Sequence, residues 1–120
     1  MRECPRTQRK FDMIWTIFML LRATPHWLGH TITERDSIAA NCLAQAGLGD
    51  QVSMRFYDAE AFSGTCSDVA VFETRDLQAY YFVVERLRNT PLFGKPYFDV
   101  IDIIPALENG HQTFQREVSA

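Results

Sequence analysis

Residues 13–21 read MIWTIFMLL, a run in which every position except Thr16 is apolar. Successive side chains of a strand point to opposite faces, so a strand made from this run is apolar on both faces. The run is much too short to cross a bilayer, and its length suits a strand better than a helix. It therefore predicts a central strand buried on both sides, ended by Pro25, which lacks a backbone donor.

A helix and a hairpin are indicated next. Thr31 and Glu34 have the spacing of a capping box, and apolar residues then recur at helical spacing, so a helix is predicted over residues 33–46. Residues 52–57 alternate between apolar and polar, and residues 69–73 form a second short apolar run. The segment between them is too long for a two-residue turn, which predicts an antiparallel hairpin closed by a longer loop.

A second helix and a last strand complete the pattern. Asp76 is suited to cap a helix whose apolar stripe ends before Thr90-Pro91. After a loop over residues 92–96, residues 97–104 alternate again, and Pro105 is expected to end the strand.

The predicted order is therefore βαββαβ, which is typical of a ferredoxin-like α+β sandwich: a four-stranded antiparallel sheet with two helices on one face. Two helices cover only one face of a sheet. The other face, apolar as well, would be exposed in a monomer, which soluble monomers rarely tolerate. We therefore expect a homodimer that buries this second face.

The domain boundaries follow from the same pattern. Residues 1–10 are polar and aperiodic and are expected to be a flexible N-terminal tail; residues 11–105 form the ferredoxin-like domain. Residues 106–120 are mostly polar, with Phe114 as the lone aromatic residue, and are interpreted as a C-terminal tail or as an arm that packs on a partner.

Composition narrows the class of protein. A chain of 120 residues is the size of one domain, and its net charge of −3 with scattered basic residues argues against a nucleic-acid partner. Nothing in the sequence indicates a membrane segment. Cys4, Cys42 and Cys66 are odd in number and widely spaced, so we expect three free thiols and a cytoplasmic location.

The densest group of candidate ligand-binding residues is in the hairpin: Arg55, Tyr57, Asp58, Glu60 and Ser63. Arg55 and Tyr57 share a strand face, and a guanidinium beside a phenol is suited to hold a carboxylate or enolate. Asp58 or Glu60 would transfer a proton if burial raised its pKa. The alternative is that Arg55 and Tyr57 face solvent and Asp58 shapes the turn.

A sharper form of this hypothesis concerns Arg55. If the protein has a pocket, Arg55 and Tyr57 should line it, with the other three residues at its rim. Because a buried guanidinium requires an anion, Arg55 is expected to meet a carboxylate of this chain, Glu73 or Asp68, or that of a ligand.

Other chemistry-bearing residues are interpreted as structural. His26 and His30 have a metal-binding spacing but no third ligand, and Cys66 has no histidine beside it in sequence. No metal and no cofactor is therefore expected. A set of aromatic residues is assigned first to the core and second to the wall of a pocket: Tyr80, Tyr81, Phe82, Phe93, Tyr97 and Phe98.

The sequence also resembles the darcynin family of small bacterial proteins. The resemblance spans about residues 13–110 and is carried by residues 54–64, 67–74, 76–81, 94–100 and 102–105. It implies little about function, because that family is functionally uncharacterised, and no catalytic residue is transferred from it. The architecture is more distantly similar to the dimeric α+β barrels, which include small monooxygenases and isomerases.

Two functions remain open from the sequence. The first is an uncharacterised dimeric domain that binds a small organic ligand. The alternative is a cofactor-free enzyme, monooxygenase-like or isomerase-like, that acts on a small aromatic or lactone-type substrate. A cavity between the sheet and the helices with Arg55 or Asp58 pointing into it would favour the enzyme.

Overall fold

The computed structural model describes residues 13–119. The elements follow one another as β1 (Trp15–Ala23), α1 (Pro25–Leu28), α2 (Ile32–Ala44), β2 (Val52–Asp58), β3 (Asp68–Thr74), α3 (Leu77–Arg88), α4 (Pro91–Gly94), β4 (Phe98–Leu107) and α5 (Gly110–Ser119). The strands form one antiparallel sheet in the order β2-β3-β1-β4. The predicted ferredoxin-like α+β fold is therefore confirmed.

Strand β1 lies at the centre of the sheet and pairs with β3 on one side and β4 on the other. Its side chains alternate between two environments. Ile17, Met19 and Leu21 are at most 2% exposed beneath the helices, whereas Phe18 on the opposite face is 36% exposed. The prediction of a central strand is confirmed, but within one chain only one of its faces is fully buried.

The two long helices cover the inner face of the sheet, the face that carries Ile17 and Met19. The side chains of Cys42 from α2 and of Val83 and Leu87 from α3 enter the same core cluster. Helix α2 begins where the capping box predicted: Thr31 Oγ1 accepts the Glu34 backbone N–H at 3.1 Å, and Glu34 Oε1 accepts the Thr31 N–H at 2.8 Å.

Helix α3 is capped by Asp76, whose carboxylate accepts the backbone N–H groups of Gln78 and Ala79 at 3.0 and 3.2 Å. This cap is the one that the sequence indicated. Both long helices thus begin at a side chain that satisfies backbone donors which the first turn leaves unpaired.

The C-terminal part of the chain differs from the prediction. Pro105 does not end β4, which continues to Leu107 and pairs Pro105 with Ile17 of β1. Because β4 is an edge strand, it tolerates a residue without a backbone N–H where the backbone nitrogen points away from the neighbouring strand.

Two predicted loop or tail segments are also helical. The loop expected over residues 92–96 overlaps α4, which begins at Pro91 and is capped by Thr90 through its Oγ1. Residues 110–119 form α5 rather than a frayed tail, and Phe114 and Val118 of this helix are exposed. The predicted N-terminal tail, residues 1–10, lies outside the described residues.

The outer face of the sheet, opposite the helices, carries a row of mainly apolar side chains. One row runs across four strands through Arg55, Val71, Phe18 and Ile104, which are register partners. Phe18 and Ile104 are 36% and 44% exposed, so no helix within residues 13–119 covers them. The sheet therefore has an unpartnered face.

The cap of α2 provides a direct test of this local structure. Replacing Thr31 by Ala removes the acceptor for the Glu34 N–H and should lower the free energy of unfolding by about 1 kcal/mol. Urea denaturation followed by circular dichroism measures it. Thr33→Ala, in the same turn but outside the cap, is the matched control and should be close to neutral; equal losses in both variants would contradict the capping role.

Candidate functional site

A cavity of about 300 Å³ lies between the inner face of the sheet and the helices. It is bordered by residues from all four strands and from α1, α2, α3 and α4. Its walls are almost wholly apolar, and aromatic side chains supply a large part of them: Trp27, Phe56, Phe72, Phe93 and Phe98. The volume falls at the lower end of the range typical of small-molecule sites.

Two alanines are among the residues that border this space. Ala70 on β3 is register partner of Phe56 on β2 and of Met19 on β1, so a methyl group lies between two large side chains. Ala39 of α2 borders the same cavity from the helix side. Since protein interiors are closely packed, small residues on both sides of a cavity leave space that larger side chains would fill.

Three aromatic rings form one wall of the cavity. The ring centroid of Phe98 lies 5.0 Å from that of Trp27 and 6.1 Å from that of Phe56, with interplanar angles of 49° and 74°. Trp27 belongs to α1, which begins at Pro25. Thr24 ties the start of α1 to the segment before β4 through a hydrogen bond from its Oγ1 to the Tyr97 carbonyl oxygen at 3.0 Å.

Among residues 13–119, Asp68 is the single charged residue that lines the cavity. Its Oδ2 accepts a hydrogen bond from Ser67 Oγ at 2.7 Å. Burial raises the pKa of Asp68, and the carboxylates of Asp58 and Glu60 act in the same direction, whereas the Ser67 hydrogen bond opposes them. A partly buried carboxylate therefore borders an otherwise apolar chamber.

A second depression, larger at about 470 Å³, lies at the far end of the sheet. Its surroundings are mostly polar and include Asp50, Glu73, Arg75 and Asp76. It is more open to solvent than the cavity beneath the helices, and ligand sites are predominantly enclosed and apolar. The cavity beside Asp68 is therefore the better candidate site.

Comparison with known proteins gives the family. The family model described as "Darcynin, domain of unknown function" matches residues 1–120. The chain belongs to the darcynin family. A darcynin of Chromobacterium violaceum is 48% identical over 69 residues, which cover 58% of this chain and 87% of the relative. A darcynin homolog of Streptomyces avermitilis is 40% identical over 98 residues, 80% of each chain. The resemblance drawn from the sequence is confirmed.

Several solved structures are similar to this chain in fold but not in sequence. A chlorite dismutase of Candidatus Nitrospira defluvii matches with a TM-score of 0.69 at 14% identity, and covers 94% of this darcynin chain. A second structure, of a putative chlorite dismutase, matches with a TM-score of 0.64 at 18% identity over 85% of the chain. The chain spans about half the length of these two proteins. They support the predicted ferredoxin-like α+β fold.

The darcynin structure does not bring the five candidate residues from the sequence into one pocket. Arg55 and Tyr57 lie on the outer face of the sheet, because their neighbours Met54 and Phe56 occupy the inner face beside the cavity. Arg55 is exposed, and the Tyr57 hydroxyl and then the Glu73 carboxylate raise its pKa. Arg55 and Tyr57 therefore do not line this cavity, and their role in binding a ligand stays a prediction.

Asp58, Glu60 and Ser63 have roles within the hairpin loop. Asp58 Oδ1 accepts the Glu60 backbone N–H at 3.1 Å, the turn-shaping alternative considered from the sequence. Ser63 Oγ accepts the backbone N–H groups of Thr65 and Cys66 at 3.0 and 3.2 Å. Glu60 and Ser63 also border a separate depression of about 220 Å³.

Of the aromatic residues considered from the sequence, Phe93 and Phe98 line the cavity, while Tyr81 and Phe82 are exposed on α3. The sequence did not single out Asp68, Trp27 or Phe56 as cavity residues. Strand alternation does place Phe56 on the same face as Met54. The sequence does not show, however, on which face of the sheet the cavity lies, because that depends on the packing of the helices.

None of the histidine and cysteine residues within 13–119 lines the cavity. His30 is close to Glu34 through Nδ1 at 3.2 Å and to the Tyr97 hydroxyl through Nε2 at 3.4 Å. Residues 13–119 contain no group of three or more potential metal ligands. Cys42 and Cys66 are free and buried, and Cys4 lies outside the described residues.

None of the helices in the described part of the chain combines the length and the apolar character needed to cross a membrane.

The raised pKa of Asp68 predicts how stability depends on pH. A carboxyl group with a higher pKa in the folded than in the unfolded protein destabilises the fold once it ionises, as pH rises above about 4. Asp68→Asn, which keeps an acceptor for Ser67, should therefore be more stable than the wild type at pH 7, by at most about 1 kcal/mol since the group is partly exposed.

This gain should shrink toward zero as pH falls below the unfolded pKa of aspartate, about 4. Thermal unfolding of both proteins between pH 3 and pH 7 measures it. Asp36→Asn, at an exposed position of α2, is the control and should show no such gain. A loss of stability in Asp68→Asn at pH 7 would contradict the assigned environment.

Proposed function

We propose that this member of the darcynin family is a homodimer that binds a small apolar organic molecule between its sheet and its helices. The observation that carries the binding proposal is the cavity of about 300 Å³ with aromatic walls and one carboxylate. Leaving such a void open sacrifices packing contacts that a larger residue at Ala70 would provide. A ligand that occupies it restores those contacts.

The outer face of the sheet supports the homodimer. It is apolar through Phe18, Val71 and Ile104, and the edge strands β2 and β4 also carry the polar residues Arg55 and Asp102. An apolar centre surrounded by a polar rim is the usual organisation of a protein interface. A second copy of the same face would bury these residues around a twofold axis, as in most homodimers.

The geometry favours binding over catalysis. An enzyme of the kind considered from the sequence would place Arg55 or Asp58 in the cavity between sheet and helices. The described lining contains neither of them and has Asp68 as its one ionisable side chain. General acid–base chemistry with a partner group is therefore not supported by this arrangement.

The dimer can be tested by one substitution made at two places. Ile104→Lys puts a charge beside Phe18 in the apolar part of the outer face and should weaken dimerisation by at least about a hundredfold, because an unpaired buried charge costs several kcal/mol. Ile32→Lys, at a position 73% exposed on α2, makes the same change elsewhere and should leave the dimer intact. Sedimentation velocity at micromolar concentration measures both; a monomeric wild type would overturn the proposal.

Ligand binding can be followed by the fluorescence of Trp27. The chain has two tryptophans, so Trp15→Phe makes Trp27 the single reporter. Titration with tert-butylbenzene, a neutral apolar probe, should change its emission in a saturable way. Ala70→Leu, which fills the cavity, should weaken binding by at least about tenfold, equivalent to about 1.4 kcal/mol. Ala40→Leu, exposed on α2, should not. Equal affinities in the two variants would place the probe elsewhere.

A further inference from the structure

The rings that line the cavity are arranged so that a bound group would meet several aromatic surfaces. Trp27, Phe56 and Phe98 form one contiguous wall, with centroid separations of 5.0 and 6.1 Å between neighbouring rings. The π face of an aromatic ring is negative and attracts a cation that lies over it, and clustered rings are how proteins recognise quaternary ammonium groups. The wall is therefore suited to a ligand that carries a cationic group as well as to a neutral apolar ligand.

The ionisable group that lines the cavity is negative when charged, like the π faces of the rings. Asp68 is its one ionisable residue among those described, and neither lysine nor arginine lines it. Asp58, the register partner of Asp68, and Glu60 add negative charge nearby. Arg22, which borders the neighbouring depression, donates from its guanidinium to the Thr65 carbonyl oxygen. A ligand cation would reduce the cost of keeping the Asp68 carboxylate partly buried.

We propose that the ligand of this cavity is a hydrophobic organic cation, an ammonium group attached to an apolar body. The inference rests on the proposed function, since it names the chemical class of the molecule that the cavity binds. The cation lies over the rings of Trp27, Phe56 and Phe98 and beside Asp68, and the apolar body occupies the space next to Ala70.

Other ligand classes fit this chamber less well. An anionic ligand would meet a carboxylate and the negative faces of the rings. A hard metal ion requires several oxygen ligands, whereas the described lining supplies one carboxylate. A strongly polar neutral ligand would leave most of its hydrogen-bonding groups without partners against apolar walls.

Two probes of equal shape separate charge from size. Phenyltrimethylammonium and tert-butylbenzene differ in one atom, a charged nitrogen in place of a carbon. In the Trp15→Phe protein at pH 7, the cation should bind at least about fivefold more tightly, a typical gain from cation–π and ionic attraction in a partly desolvated site. Fluorescence titration of Trp27 gives both dissociation constants.

Matched variants show which residues cause the preference for the cation. Asp68→Asn and Phe56→Leu should each reduce the ratio of the two affinities by at least about threefold, through loss of the charge and of one ring, while tert-butylbenzene binds nearly as before. The controls are Asp36→Asn on α2 and Phe62→Leu, whose side chain is 90% exposed; neither should change the ratio.

The outcomes distinguish the two proposals. If tert-butylbenzene binds at least as tightly as the cation, or if Asp68→Asn leaves the ratio unchanged, the cation proposal is wrong and binding of an apolar ligand stands. If neither probe binds to the folded wild-type protein, both proposals are wrong.

Discussion

The packing of β1 against the two long helices is the interaction on which the rest of the structure depends. Ile17, Met19 and Leu21 are nearly inaccessible to solvent, and the same strand holds β3 and β4 through its two hydrogen-bonded edges. Because side chains alternate along a strand, burying these three residues directs Phe18 to the outer face. The alternation of side chains along β1 thus produces both the core on the inner face and the exposed apolar surface on the outer face.

The cavity arises inside this packing. The core row that contains Met19 continues through Ala70 to Phe56, and the alanine in the middle leaves a gap beneath α2. The rings of Trp27 and Phe98 border the gap because α1 and the start of β4 are tied together at Thr24. A hydrophobic core that is otherwise closely packed therefore contains an aromatic chamber, at a cost in packing energy. The partly buried Asp68 adds a second, electrostatic cost, of the kind that proteins often accept at a functional site.

The outer face and the cavity lie on opposite sides of the same sheet. Arg55 and Tyr57 belong to the first, and Met54 and Phe56, one residue away, belong to the second. This is why the hairpin residues selected from the sequence do not lie together in the cavity. A polar residue in an alternating strand is readily recognised, but the helices pack on the other face of β2, and the cavity lies with them.

Much of the fold is determined by local sequence. The capping box at Thr31, the cap at Asp76 and the apolar run around Ile17 define the two long helices and the central strand, because hydrogen bonds within a few residues and periodicity of side chains set these elements. Pro105 was misread because its effect depends on whether the strand lies at an edge, which is a property of the sheet. The cavity depends still more on tertiary structure. Ala39, Trp27 and Ala70 come from three different elements, and only the packing of the helices on the sheet decides that they border one cavity with Asp68.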